Sequence, residues 1–281
     1  MTLIKALAKR FFVLPYLLLC VAASLHCAWQ MLFGSGFSLS WFGAWLSVTP
    51  VPLFVLLLYS AAFLHVSRFI VVQLIAALLG AFLVVIEMQP LPTVYALSLG
   101  LGGVLLYVFW YSYLDRDDNP LLAVGRPLPL FKLRGSLGEV RASSEFQGRK
   151  TLLLFFRGNW CPLCRSQLHE FSLYCQNFID YGMRVALISS QPVAASKKIL
   201  AGLPEEVELY SDPSLEAARA LDIIHPFGTP FGVGPAVSDT VLPTLLLVDE
   251  AGVIRYVDLP ENFRIGPQPR RLLAALEEHW V

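Results

Sequence analysis

Charge is what this 281-residue chain has least of. Only 15% of its residues are Asp, Glu, Lys or Arg, while 56% are apolar, a balance too apolar for an average soluble protein. The shortage is local: residues 1–114 hold four cations (Lys5, Lys9, Arg10, Arg68) and one acid (Glu87), which leaves 17 and 20 for residues 115–281. The first stretch reads as membrane-embedded and the second as a globular domain long enough to bury its own core. The formal net charge is zero, so the basic footprint of a nucleic-acid partner is missing. Cysteine is scarce too. Five cysteines, only two of them closely spaced, exclude a disulfide scaffold and point to one reactive pair plus singletons.

Four apolar runs follow the basic N-terminus: Phe11–Phe33, Trp45–His65, Phe69–Ile86 and Thr93–Tyr113. At about 1.5 Å per residue the first reaches roughly 34 Å, enough to cross a bilayer. Ala22-Ala23-Ser24 resembles a signal-peptide cleavage region, but the run continues past it and three more follow, so a retained anchor is predicted. Trp41, Trp45, Trp110, Tyr111 and Tyr113 fall near the run ends, as in an interfacial aromatic belt. Only His65–Arg68 separates the second run from the third, which requires a tight hairpin. Lys5, Lys9, Arg10 and Arg68 contrast with the loops 34–40 and 87–92, which carry no Lys or Arg. The expectation is an integral protein of the bacterial inner membrane, partnered by the lipid bilayer, with its C-terminal domain on the cytoplasmic face. Cys20 and Cys27 share a helix face about 10 Å apart, too far to pair, and no other run contains cysteine. They read as small packing residues. An ionisable group in a span marks function by default, but His26 has no charged partner on another run except Glu87 near an end, so it reads as helix packing or a buried hydrogen bond.

At Asp115–Asn119 (DRDDN) the composition changes abruptly, placing a linker at 115–123 and a domain at 124–281. Leu152–Phe156 is continuously apolar, as in a central strand covered on both faces. Further strands at Val185–Ile188 and Leu245–Val248 alternate with helical patterns at Val193–Leu203, Ser214–Leu221 and Pro269–His279, and a Gly-centred turn falls near Gly138. The fold class predicted is a bundle of about four transmembrane helices followed by an α/β domain with helices on both sheet faces.

The chemistry sits in TLLLFFRGNWCPLCRSQLHEF, residues 151–171. Leu168, Phe171, Cys175 and Phe178 recur at helical spacing, so Cys161 falls at the first turn, where Pro162 fits well. Unpaired N–H groups and the helix dipole there favour a thiolate. Arg157 and Arg165 offer further positive charge. Cys161 is predicted as the nucleophile, and Cys164, one turn further in, as the resolving thiol. The spacing Cys161, Cys164, His169, Cys175 approaches a zinc knuckle, but these residues fall on a helix and not in a compact loop. Neither a metal nor a cofactor is expected.

Trp160-Cys161-Pro162-Leu163-Cys164 resembles the W-C-x-x-C site of thioredoxins. The longer F-R-G-x-W-C-P-x-C phrase is similar to the peroxiredoxin-like branch of the alkyl hydroperoxide reductase and thiol-specific antioxidant (AhpC/TSA) group. The resemblance covers residues 124–281, including Gly125–Leu133, Tyr210-Ser211-Asp212-Pro213 and Leu242-Pro243-Thr244. It implies a thioredoxin-like fold and thiol oxidoreductase activity on protein disulfides or peroxides, with a thiol donor such as thioredoxin or glutathione. It also implies a cis-proline at Pro243, next to Thr244, packed against the dithiol. Three positions depart from the family patterns. Gly158 and Leu154 stand where peroxiredoxins place a hydroxyl residue and a proline, and Phe155 stands where thioredoxins bury an aspartate. A redox-sensing or partner-binding role without turnover is the alternative. His225 lies in the Gly/Pro-rich loop HPFGTPFGVGP, which reads first as a plain loop and second as a border of the site.

Overall fold

The chain is described by a computed structural model covering residues 3–34, 36–59, 67–200, 203–234 and 237–279. It sorts into two compact units, Met1–Tyr113 with Pro230–Val233, and Leu114–Thr229 with Gly234–Val281. In the first unit the apolar runs form α1 (Leu3–Phe33), α2 (Leu39–Val48), α3 (Pro50–Tyr59), α4 (Ser67–Glu87) and α5 (Pro90–Tyr111). Leu3–Phe33, Leu39–Leu58 and Pro90–Tyr111 are long and apolar enough to cross a membrane, and Val71–Glu87 is a shorter apolar helix. Among the described residues three helices meet this criterion, and α4, 21 residues long, is the fourth apolar helix where four were expected. Residues 60–66, which include His65 and Val66 of the predicted hairpin, lie outside the described residues.

Small residues let these helices approach closely, as apolar helices without a hydrophobic drive between them require. A Cβ on Gly43 would meet the Gly80 carbonyl at 2.8 Å, and one on Gly100 would run into Ser47. Ser47 Oγ donates to the carbonyls of Ala77 (3.4 Å) and Ala96 (3.2 Å), joining α2 to α4 and α5. Cys20 and Cys27 are fully buried, the latter among Trp41, Ala44, Val84 and Ala96. His26 lies between two polar partners, with Nδ1 3.0 Å from Tyr95 Oη and Nε2 3.2 Å from Gln30 Nε2. The Glu87 carboxylate accepts the N–H groups of Leu39 and Ser40, both at 3.1 Å, satisfying donors that the start of α2 leaves open.

The second unit is built on a seven-stranded sheet. Its strands are β1 (Lys132–Arg134), β2 (Val140–Ala142), β3 (Thr151–Phe155), β4 (Arg184–Ser189), β5 (Val207–Ser211), β8 (Thr244–Val248) and β9 (Ile254–Asp258), while β6 (Ile224–His225) pairs with β7 (Thr240–Val241) apart. The order is β2-β1-β5-β4-β3-β8-β9. Strands β3, β4 and β5 are mutually parallel, and β8 and β1 run antiparallel to their neighbours in this trio. The helices are α6 (Pro162–Ser172), α7 (Cys175–Asp180), α8 (Val193–Leu200), α9 (Glu216–Ala220) and α10 (Pro269–His279). This mixed sheet with helices on both faces is the thioredoxin-like fold that the motif implied.

Alternation along β3 builds two cores. Leu153 and Phe155 join Phe131, Phe146, Ile188 and Leu246 on one face. Leu152, Leu154 and Phe156 join Leu168, Phe171, Phe178 and Leu272 on the other, so α6, α7 and α10 cover that side. Residues 114–123 are more than spacer. The Leu114 N–H donates to the Glu261 carbonyl at 2.7 Å, Asn119 Nδ2 donates to the Leu221 carbonyl at 2.8 Å, and Leu122 lies in the first core. Phe155, at the position of the missing aspartate, is fully buried and meets Phe131 edge-on at 6.5 Å. Truncating it to Ala should destabilise the second unit by about 3–5 kcal/mol, measured as a lowered denaturant midpoint for its unfolding transition. A loss below about 1 kcal/mol would contradict this packing.

Candidate active site

Strand β3 ends at Phe155 and α6 starts at Pro162, so six residues make the turn that presents the thiols. The turn is held by amide pairing: the Asn159 N–H donates to Gln191 Oε1 at 2.5 Å, and Gln191 Nε2 donates to Asn159 Oδ1 at 2.6 Å. Gly158 has φ +144°, a region that side-chain-bearing residues rarely adopt. A Cβ there would run into Gln191 Oε1 and Trp160 Nε1. A hydroxyl residue, as peroxiredoxins place there, would be strained at this position.

Cys161 is the N-cap of α6, with φ −87° and ψ 109°, and Pro162 occupies the first helical turn. Its Sγ accepts the Cys164 N–H at 3.4 Å. Both thiols are buried, 3% and 2% exposed, and no disulfide joins them. Their proton affinities diverge. The Cys161 thiol is pulled down to about 6 by the hydrogen bond from the Cys164 side chain, then by Arg157 and the backbone N–H groups of Cys164 and Leu163, against the opposing effect of burial. The Cys164 thiol is pushed well above the usual range, because its proton is held by Cys161, it is buried, and it faces the charge on Cys161. One thiolate and one thiol are thus stabilised together.

Arg157 is the cation responsible, buried to 3% exposure. Its guanidinium lies 5.0 Å from the centre of the Trp160 ring and 4.8 Å from that of Phe263, and it donates to the Gly228 carbonyl. Thr240 Oγ1 donates to the Arg157 carbonyl at 3.1 Å. The loop after His225 therefore borders the site through Gly228, while His225 itself lies in β6, with its ring where a Cβ on Gly228 would fall. Arg165 and His169 are exposed on α6, and Cys175 is fully buried in the second core.

Pro243 lines a small cavity, about 20 Å³, together with Cys164, Leu154, Phe156, Gln167 and Pro267. No cis peptide occurs among the described residues, so the Leu242–Pro243 bond is trans, which corrects the expected cis-proline: its assignment came from the resemblance and not from local sequence. Thr244 is fully buried beside Pro243 at the start of β8. Arg116 was missed. It donates through Nη2 to the Pro243 carbonyl and, at 3.1 Å, to Thr244 Oγ1, and its place among Asp115–Asn119 gave no signal beyond a change of composition.

Residues 124–257 match the sequence model of the AhpC/TSA family. The C-terminal domain is similar to this family along that stretch. The chain is also 28% identical over 174 residues to the thiol:disulfide interchange protein DsbE of Tatumella citrea, covering 57% of this chain and 79% of that protein. Among solved structures it is similar to the peroxidoxin BcpB of Mycobacterium tuberculosis, with 18% identity, TM-score 0.47, and 57% and 99% of the two chains covered. Peroxiredoxin 5 of Alvinella pompejana gives 18% identity, TM-score 0.47, and 56% and 99% coverage. The family match and the Tatumella relative together support an oxidoreductase with thiol chemistry.

The split between its two thiols has a measurable signature. Alkylation of Cys161 by iodoacetamide should rise with pH to a plateau, with its midpoint near 6, because only the thiolate reacts. Arg157→Gln removes the favourable charge and should move that midpoint upward. A midpoint above 8 in the unaltered chain would contradict the electrostatics described.

Proposed function

We propose that this protein is a membrane-anchored thiol–disulfide oxidoreductase that cycles Cys161 and Cys164 between dithiol and disulfide. The observation that carries the reading is the Cys164 N–H directed at Cys161 Sγ at a helix N-terminus, with opposite proton affinities on the two thiols. The Cys161 thiolate attacks one sulfur of a substrate disulfide, forming a mixed disulfide and expelling the other sulfur as a thiolate. Cys164 then loses its proton and attacks Cys161 Sγ, releasing the second substrate thiolate and leaving a Cys161–Cys164 disulfide. Two electrons pass to the substrate, and a thiol donor such as thioredoxin or glutathione restores the dithiol. Trp160, Arg157 and Pro162 support the thiolate, and Pro243 and Thr244 back the resolving thiol.

A disulfide is favoured over a peroxide as substrate because Gly158 provides no hydroxyl to bind one. The name of the Tatumella relative agrees with this choice. Peroxide reduction is the second reading, favoured by the F-R-G-x-W-C-P-x-C phrase at Phe156–Cys164. The helices Leu3–Phe33, Leu39–Leu58, Ser67–Glu87 and Pro90–Tyr111 support anchoring in a bacterial inner membrane, and four crossings from Lys5, Lys9 and Arg10 on the cytoplasmic side return the chain to that side.

Two experiments test these assignments. With the purified full chain, Cys161→Ser should abolish reduction of a disulfide substrate, and Cys164→Ser should trap a mixed disulfide. Turnover retained in Cys161→Ser would sink the cycle, and faster consumption of hydrogen peroxide than of disulfide would favour the second reading. Single cysteines engineered on the surface of the second unit should resist a membrane-impermeant maleimide in intact cells. Their labelling there would place the domain on the opposite face.

A further inference from the structure

The Pro243 carbonyl stands where a buried polar group beside a thiol needs a fixed partner, and one side chain supplies it. Arg116 spreads its guanidinium over three acceptors: Nε donates to the Pro260 carbonyl at 3.1 Å, and Nη2 donates to the Pro243 carbonyl and to Thr244 Oγ1. It thereby joins the start of β8 to the segment that leaves β9. Asp258, the last residue of β9, pairs in register with Leu245 and is the countercharge to Arg116. Burial draws the guanidinium down to about 10 while Asp258 acts against that shift. The other side of Pro243 faces the cavity it shares with Cys164. The walls there include Leu154, Phe156, Leu168 and Phe171, which offer no hydrogen-bonding side chain, and Gln167, whose Nε2 is already engaged with the Phe263 and Arg264 carbonyls.

We propose that Arg116 is a positioning residue for the resolving thiol, fixing Pro243 and Thr244 so that Cys164 stays free to attack Cys161. The proposal rests on the reading of Cys161 as nucleophile and Cys164 as resolving thiol. Two physical effects support it. A buried carbonyl deprived of its donor seeks another, and the Cys164 S–H lines the same cavity as Pro243. The thiol that donates to that carbonyl is held back from ionising and from the sulfur it must attack. Removing the three-way clamp also frees the Pro243 wall to shift against Cys164. The Cys164 side chain is also the first of the groups that stabilise the Cys161 thiolate, ahead of Arg157 and the N–H groups of α6, so the first step is slowed too, but less than the second, which needs Cys164 itself as the attacking thiolate.

The test follows the reduced full chain in detergent micelles after mixing with one equivalent of 5,5′-dithiobis(2-nitrobenzoate). Attack by Cys161 releases one coloured thiolate and leaves a mixed disulfide, and attack by Cys164 on that mixed disulfide releases the second. Arg116→Gln should slow the second phase at least fivefold and the first by a clearly smaller factor. Arg116→Lys keeps the charge but cannot reach three acceptors, so its second phase should be slowed at least twofold, and it decides the matter alone where the Gln variant is too unstable to purify. Arg149→Gln removes an arginine bonded to a distant carbonyl, that of Gly182, and should change neither phase. A second phase within twofold of the unaltered chain in both Arg116 variants, or an equal slowing of the two phases, would overturn the proposal. Failure of the underlying reading looks different: Cys161→Ser would then keep both phases whatever stands at 116.

Discussion

Strand β3 is buried at every residue from Thr151 to Phe155, and a strand covered on both faces cannot slide or tilt without disturbing two cores. The active site depends on that constraint. The turn to α6 begins where β3 stops, so fixing the strand fixes the point at which Cys161 meets the open N–H groups of the helix. Register with β4 on one side and β8 on the other, Leu154 opposite Leu187 and Leu245, brings Gln191 to the turn and Pro243 to the thiol. The amide pairing of Gln191 with Asn159 and the position of Pro243 both follow from the same pinned strand.

Electrostatics at the dithiol follow from sharing one proton in a dry place. Two buried thiols cannot both ionise, and the one at the helix N-terminus has more donors aimed at it. Arg157 adds a charge that is itself kept in place by two aromatic rings and a backbone carbonyl. Its planar guanidinium can stack and donate at once, which a lysine cannot do. The family resemblance suggested a buried carboxylate beneath the dithiol or a hydroxyl beside it. The chain has neither, since Phe155 is needed in one core and Gly158 in a strained turn. Cations take up the polar work instead, with Arg157 on the side of Cys161 and Arg116 behind Pro243.

The helical unit uses another economy of contacts. Gly43, Gly80 and Gly100 give up side chains so that backbones can approach, and Ser47 and His26 find partners on other helices. An ionisable His26 in an apolar helix marks function by default, whereas Cys20 and Cys27 read as packing residues from the start. The packing accounts for the two cysteines as small buried residues and for the histidine as a hydrogen-bonded one.

Patterns set by neighbouring residues were legible in the sequence. The scarcity of charge before residue 114 marks the apolar helices, the unbroken Leu152–Phe156 run marks a strand covered on both sides, and Cys-Pro-x-Cys after that strand marks a helix N-cap with a reactive thiol. Each is a short-range rule of burial or backbone geometry, so the residues that obey it stand close together in the chain. The antiparallel course of β8, the bonds from Gln191 to Asn159 and from Gly228 to Arg157, and the conversion of a polar linker into part of the domain came only with the tertiary structure. Arg116 is the clearest case. Nothing near it in sequence requires an arginine, and its role exists only because folding brings Pro243, Thr244 and Pro260, more than a hundred residues away, to one guanidinium. A hydrogen bond acts over about 3 Å whatever the separation along the chain, so such partners are fixed by the fold and not by the local pattern.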